Sequence, residues 1–376
     1  MLEIDPADRT LEAAPRKSSG RIVLIIAGMV TILALAGIGL FWGKLNGQDR
    51  FADLYASLHT EPLPVSLQNR REILPLLERL QKERCDDKAV ISLSEALIAA
   101  SEKRGAARIL AGFAEQCPRF NGLMYKAADY YFSLSDYTEA RKINDRLVTQ
   151  WPEISQFHYL AGQTDMGLGL VAEALGQFQD SIELTPDRHS LTQQVFLDTA
   201  KAFAQLGQFC KSASAMQQWV SLDPSQRDSF SSQKLVSDYL SQGHCTDYAQ
   251  GSDSFPRTDK NVVAVLASIG GVTGRFIIDS GATMVTLTGD FARKAGVAGD
   301  HDVLLKTANG SRKARTGTIA QLSVGRLKSA DVTAAVLSDE GETLGGPGID
   351  GLLGMSFLSR FKMEVTSAAI TLSPHR

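Results

Sequence analysis

Three prolines and three alanines keep one step through the middle of the chain. Pro118, Pro152 and Pro186 lie thirty-four residues apart, and Ala106, Ala140 and Ala174 repeat that interval twelve residues ahead of each proline. Two interleaved series at one period constrain the fold more than composition does. A repeat of this length is one supersecondary unit that must stack on its neighbours to bury its apolar face. A small Ala lets two helices approach, and Pro ends the second one, because its ring blocks the preceding turn and it has no N–H to donate. Residues 51–250 are therefore expected to form an all-α solenoid of helix pairs. A fourth, looser repeat ends near Pro224, thirty-eight residues after Pro186, and a partial fifth includes residues 230–248.

With Tyr131, Leu134 and Tyr137 in one repeat and Gly162 and Phe178 in the next, the pattern resembles tetratricopeptide repeats. The resemblance implies a concave surface offered to a protein or peptide partner. A plain spacer or dimer scaffold is the alternative.

All four cysteines lie in this region. Cys85 precedes the first helix of one repeat and Cys117 ends its second, so both stand at the open end of one antiparallel hairpin. Cys210 and Cys245 each follow a Gly at the bends Gly207-Gln208-Phe209-Cys210 and Gly243-His244-Cys245 of successive repeats. Bridges Cys85–Cys117 and Cys210–Cys245 fit that geometry, and an oxidising exterior would keep them. Four buried free thiols are the other reading. No Cys-x-x-Cys or His-Glu-x-x-His spacing exists, so no zinc or other metal site is expected. The glycines between Gly341 and Gly354 lack a following Gly-Lys-Ser/Thr, which argues against a phosphate loop. A formal net charge of −3 over 376 residues argues against nucleic acid as a partner.

Residues 22–42 (IVLIIAGMVTILALAGIGLFW) run for twenty-one positions without a charge, long enough to cross a bilayer as a helix. Trp42 stands where an interfacial aromatic belongs. Arg9, Arg16, Lys17 and Arg21 upstream outweigh Lys44 and Arg50 downstream, which puts a tail of residues 1–21 in the cytoplasm and the remainder outside. A cleaved signal peptide competes, since Ala34-Leu35-Ala36 has the small-x-small form of a cleavage site. Either way the bulk of the chain is exported. Gly39 and Gly43, four apart, suit a helix-pairing seam or a lipid-facing surface.

Past residue 261 helical periodicity gives way to short β-rich runs at 262–269, 275–278, 285–287, 303–307, 318–324, 332–337 and 361–372, punctuated by Gly, Asn, Asp and Ser. Residues 261–376 suffice for one small core. The polar segment 251–260, with its Gly and Pro, is expected to be the linker before it. Within the β region, the apolar residues Phe276-Ile277-Ile278 run straight into Asp279-Ser280-Gly281-Ala282. A carboxylate at the end of a core strand is costly to desolvate unless it is hydrogen-bonded or shares a proton. Asp279 is the only aspartate in the chain followed by Ser-Gly or Thr-Gly. Val303 to Thr307 then leads through Ala308 into Asn309-Gly310, the favoured pair for a two-residue hairpin turn. Leu352-Leu353-Gly354 follows, with a short helical stretch after it.

These three motifs, in this order, resemble one retropepsin-type aspartic protease domain over the last third of the chain, and the whole resembles membrane-tethered retropepsin-type proteases of bacterial cell envelopes. The resemblance implies that Asp279 is the catalytic acid and base. Ser280 would tie the loop with its hydroxyl, while Gly281 and Ala282 shape it. Ala308, Asn309 and Gly310 would form the flap tip, which here lacks an aromatic. Leu352, Leu353 and Gly354 would support the loop from beneath. Asp350 has no strand-to-turn context and is expected to be a solvated turn residue. Because the chemistry needs two carboxylates and the domain offers one, the active unit is expected to be a homodimer. No cofactor is implied, and the substrate would be protein or peptide. The expected class is multidomain: transmembrane helix, all-α tetratricopeptide-like solenoid, then all-β retropepsin-like domain.

Overall fold

The computed structural model describes residues 50–222, 230–257, 262–307, 310–338 and 344–375. The apolar segment 22–42 lies outside them. Among the described residues no helix is long and apolar enough to cross a membrane.

Three short helices, α1 (Ala52–Ser57), α2 (Val65–Gln68) and α3 (Leu74–Lys82), lead into four helix pairs. These are α4 (Asp87–Ala99) with α5 (Lys103–Gln116), α6 (Asn121–Ser133) with α7 (Tyr137–Gln150), α8 (Ser155–Leu168) with α9 (Val171–Leu184), and α10 (Gln193–Gln205) with α11 (Phe209–Leu222). A last helix, α12 (Phe230–Gln242), packs on α11. Local sequence sets the ends: Asp86 and Asp136 cap α4 and α7 by accepting from Ala89 and Glu139 N–H. Ala106, Ala140 and Ala174 each occupy the fourth position of a second helix and are 0 % exposed, because only a methyl group fits between helices at that depth. The three prolines stand two residues past those helices. The thirty-eight-residue step has a simple cause. A 3₁₀ turn, Arg188–Ser190, lengthens the connection between α9 and α10 to eight residues, where the two preceding connections have four. Pro224 lies outside the described residues. Both disulfides form, Cys85–Cys117 with Cα atoms 5.9 Å apart and Cys210–Cys245 at 5.7 Å, and no free cysteine is left.

The β-domain comprises β1 (Asp253–Pro256), β2 (Ala264–Ile269), β3 (Val272–Ile278), β4 (Val285–Leu287), α13 (Gly289–Ala295), β5 (Gly299–Thr307), β6 (Gly310–Val324), β7 (Leu327–Leu337), β8 (Gly351–Leu353), α14 (Met355–Leu358), β9 (Phe361–Val365) and β10 (Ala369–Pro374). Seven strands in the order β2-β3-β8-β4-β7-β6-β5 make one sheet, which β2 closes into a barrel by pairing with β6. Its core includes Phe276, Val285, Leu287, Ile319, Leu322 and Leu353. A second sheet runs β1-β10-β9.

Three expectations need correction here. The segment read as a linker contains β1, which pairs along β10 from Asp253↔Leu372 to Pro256↔Ala369. Just ahead of it, Gln250 exchanges both main-chain hydrogen bonds with Lys328, so the junction is zipped to β7 rather than free. The run 361–372 is a hairpin of two strands, not one. Helix α13, capped by the Thr288 hydroxyl and stopped at Gly296 with positive φ, was not foreseen, because seven residues carry too little periodicity.

The solenoid also packs directly on the barrel. Asp180 Oδ1 on α9 accepts the Leu304 N–H at 3.0 Å, occupying a donor on β5, the terminal strand of the sheet order, that would otherwise be an open edge. On α11, Lys211 Nζ donates to Thr318 Oγ1 at 2.6 Å and the Ser214 hydroxyl to the Ser356 carbonyl at 3.3 Å.

Candidate active site

Asp279 sits where β3 ends. Parallel pairing of Ile277 with Leu352 and Ile278 with Leu353 carries the strand alongside β8, and the Asp279 N–H continues that ladder onto the Leu353 carbonyl at 3.0 Å. The side chain is half-buried, and its Oδ1 accepts the Gly281 N–H at 2.8 Å. A Cβ at Gly281 would come within 2.9 Å of that same oxygen, so glycine is what lets the backbone fold back over the carboxylate. Ser280 and Gly281 are exposed. Among the described residues the Ser280 hydroxyl holds nothing down. Main-chain bonds tie the loop instead: Met355 N–H to Ala282 O and Ser356 N–H to Thr283 O, both 2.8 Å.

Leu352, Leu353 and Gly354 lie beneath the loop. Leu353 is fully buried, and a Cβ on Gly354 would fall 2.1 Å from the Met284 carbonyl oxygen and 2.8 Å from that of Ala282. Nothing larger than glycine fits between β8 and the descending arm of the loop. Asp350 corrects an expectation. It is a clamp rather than a solvated turn residue, its Oδ2 accepting the Arg275 N–H at 2.8 Å and its carbonyl accepting the Thr288 N–H at 3.0 Å.

Ser356 was invisible to sequence reasoning and is central to the support. Its hydroxyl accepts the Val285 N–H at 2.9 Å and donates to the Thr333 carbonyl at 2.7 Å, stitching the first residue of β4 to β7. Its carbonyl accepts from Ser214 of the solenoid and, at 3.0 Å, from Arg360 Nε. Arg360 is 1 % exposed. Its guanidinium donates further to the Ser329 hydroxyl and to the Tyr248, Ala330 and Asp331 carbonyls, and lies 4.5 Å from the Tyr248 ring centroid. Burial holds its pKa below the usual arginine value. Hydrogen bonds from all three guanidinium nitrogens, with an aromatic face beside them, are how this buried cation is tolerated. No local pattern around Leu358-Ser359-Arg360-Phe361 announces it.

The β5–β6 hairpin carries the segment expected to form the flap. Thr307 pairs with Gly310, so Gly310 belongs to the strand rather than to an Asn309-Gly310 turn, and Ala308 and Asn309 lie outside the described residues. Beneath the hairpin Met284, Val303, Leu305, Ala314, Ala335 and Leu337 form a separate buried apolar cluster. Among the described residues no group of three or more His, Cys, Asp or Glu could hold a metal ion.

Residues 265–357 match the family model described as aspartyl protease. Among solved structures, a retropepsin-like aspartic protease from Rickettsia conorii is 26% identical over 33% of this chain and 92% of its own, with a TM-score of 0.27. MamA from Desulfovibrio magneticus RS-1 is 15% identical over 48% of this chain and 99% of its own, at 0.35. YrrB, described as a TPR protein with an unusual peptide-binding site, is 16% identical over 45% of this chain and 90% of its own, at 0.35. A search of curated proteins finds no match. The chain thus joins a solenoid of helix pairs to a barrel domain whose Asp279 loop, β5–β6 hairpin and Leu352-Leu353-Gly354 all fall within a segment similar to aspartyl proteases.

Proposed function

We propose that the chain is an aspartic endopeptidase, tethered to a bacterial inner membrane through residues 22–42, that cleaves proteins or peptides of the cell envelope. The observation that carries the reading is the state of Asp279. It is half-buried, anchored through its own N–H to Leu353 and through Oδ1 to Gly281, at the end of a core strand. Peptide hydrolysis by paired carboxylates needs one ionised group to take a proton from water and one protonated group to polarise the scissile carbonyl. Two carboxyls crowded together divide those roles, because both cannot ionise. A second copy supplies the second Asp279, and the exposed Ser280 and Gly281 leave that face of the loop free to meet it. Two disulfides favour an oxidising compartment outside the cytoplasm, in keeping with the charge bias around residues 22–42. The repeats would gather substrate near the membrane.

The test uses the full chain, wild type and Asp279→Asn, on an unstructured protein substrate, with the association state measured by sedimentation. Cleavage by the wild-type dimer and none by the variant supports the reading. Equal cleavage by both, or full activity in a strictly monomeric preparation, overturns it. A verified wild-type dimer that cuts nothing points to a scaffold whose repeats bind a partner and whose barrel dimerises.

A further inference from the structure

The last residues of the solenoid reach into the support of the Asp279 loop. Tyr248, six residues past α12, is buried in the apolar cluster of the last helices with Phe203 and Val236, and its ring centroid lies 4.5 Å from the Arg360 guanidinium carbon. The chain around it is bonded along the start of β7. The Asp247 carbonyl accepts the Ala330 N–H at 2.8 Å, and the Tyr248 carbonyl accepts the Ser329 hydroxyl at 2.6 Å. Arg360 therefore touches three segments at once: the end of the solenoid at Tyr248, β7 at Ser329, Ala330 and Asp331, and α14 at the Ser356 carbonyl. Every acceptor in these bonds is neutral, so the desolvation of the cation is offset by dipoles and a ring face rather than by a bonded carboxylate. Within β7, Asp331 has a φ of +52°, a conformation that is costly for a non-glycine residue and persists only where its surroundings hold it. Arg360 Nη2, on the Asp331 carbonyl at 2.8 Å, is one such hold.

The bond onto Ser356 leads straight to the loop. The Ser356 N–H and hydroxyl hold Thr283 and Val285, and the Met355 N–H holds Ala282. At the other end of the loop, Asp279 hangs on the Leu353 carbonyl. Residues 353–356 thus anchor both arms of the loop, and Arg360 fixes the last carbonyl of that anchor together with Ser214 of α11. Two of the contacts that set Ser356 in place, Tyr248 through Arg360 and Ser214 directly, come from the solenoid.

We propose that, on the protease reading above, Arg360 is a positioning residue for Asp279 and that the solenoid completes its seat through Tyr248. A displacement of Ser356 carries Ala282, Thr283 and Val285 with it, and so turns the Asp279 carboxyl away from that of the second copy. A guanidinium suits this task, because its flat fork of donors reaches acceptors on separate segments in one plane, where an ammonium offers a point charge. The helical repeats are then part of the framework that sets the catalytic geometry as well as a means of gathering substrate.

The experiment compares full-length wild type, Arg360→Met and Tyr248→Leu on one unstructured protein substrate. It records kcat and KM per folded molecule, with the folded fraction taken from melting curves, and the pH–rate profile of each. Arg360→Met should lower kcat about tenfold to a hundredfold, as expected for reacting groups displaced by on the order of 1 Å, and Tyr248→Leu should lower it by less. KM should stay within about twofold of wild type, since no contact to substrate is removed. Both limbs of the pH profile should move, because they belong to the pair of Asp279 carboxyls and depend on their separation. A purely structural role lowers the amount of folded enzyme, which scales the profile and leaves its limbs in place. Asp279-dependent cleavage with unchanged kcat per folded molecule and unmoved limbs, in either variant, overturns the positioning role and leaves the protease reading standing. If Arg360→Met does not fold, Tyr248→Leu decides the matter alone. No wild-type cleavage, or cleavage that survives Asp279→Asn, overturns both.

Discussion

In the solenoid each helix packs on its neighbours in sequence, whereas the strands that hold Asp279 meet across seventy-five residues, Phe276 against Gly351 and Ile278 against Leu353. The solenoid is close to a sum of nearest-neighbour terms, and damage to one hairpin stays near that hairpin. The barrel has no such partition, because its site exists only once distant segments have met. The disulfides follow the same logic. They lie toward the two ends of the solenoid, Cys85–Cys117 and Cys210–Cys245. The barrel, closed on itself, has none.

Perturbing each region should separate the two kinds of order. The largest effect falls on chemistry alone: Asp279→Asn should lower cleavage by about 10³-fold or more, with the melting curve essentially unchanged. Reduction of both disulfides comes next. Each closes a loop of 32 or 35 residues, for which chain entropy gives about 3–4 kcal/mol. Helical ellipticity should melt earlier in reductant, while strand-specific hydrogen exchange near Asp279 changes less. If both regions lose equally, they form one cooperative unit and the contrast fails.

Gly354→Ala is the converse probe. Its methyl would collide with the Met284 and Ala282 carbonyls, and overpacking of this kind costs about 1–3 kcal/mol. The β-domain should melt earlier and cleavage should fall, with the first helix pairs unaffected.

Acidity gives the smallest and most diagnostic contrast. In the solenoid, burial raises Asp165 and Asp180 to about 6 and Glu183 to about 7. A carboxyl raised in the folded state contributes stability that is fully present below its unfolded value, near 4, and is lost as pH rises through the folded value. The helical transition should therefore weaken as pH rises from 5 to 8. Asp253 on β1 goes the other way. The Arg326 N–H, foremost, holds its carboxyl below the usual value, so its contribution is present above the unfolded value and lost on acidification below it. Thermal melts across pH 3 to 8, followed by helix and strand signals separately, check both signs.

The legibility of the two regions in the sequence matches their construction. The helix pairs follow from the thirty-four-residue step, and the caps Asp86 and Asp136 from local chemistry. The disulfide partners follow from the position of each Cys within its repeat. In the barrel the strand runs and the Asp279 loop are legible, since Phe-Ile-Ile-Asp-Ser-Gly is contiguous. What tied that loop was not. The expectation that the Ser280 hydroxyl does so gave way to main-chain bonds from Met355 and Ser356, residues more than seventy positions away. Likewise 251–260 has a linker's composition, yet β1 pairs with β10, because an unpaired edge takes up whatever extended segment lies beside it.

Sequence by itself determined what depends on neighbours a few residues apart: helix period, turn chemistry, the placement of one aspartate after one apolar strand. Only the tertiary structure decided that Arg360 is buried on carbonyls, that Asp350 is a clamp, and that Glu183 of the solenoid lines one cavity with Thr283 of the barrel. The physical reason is that the energy of a buried polar group is set by the atoms that surround it, and those atoms come from parts of the chain that no local pattern connects.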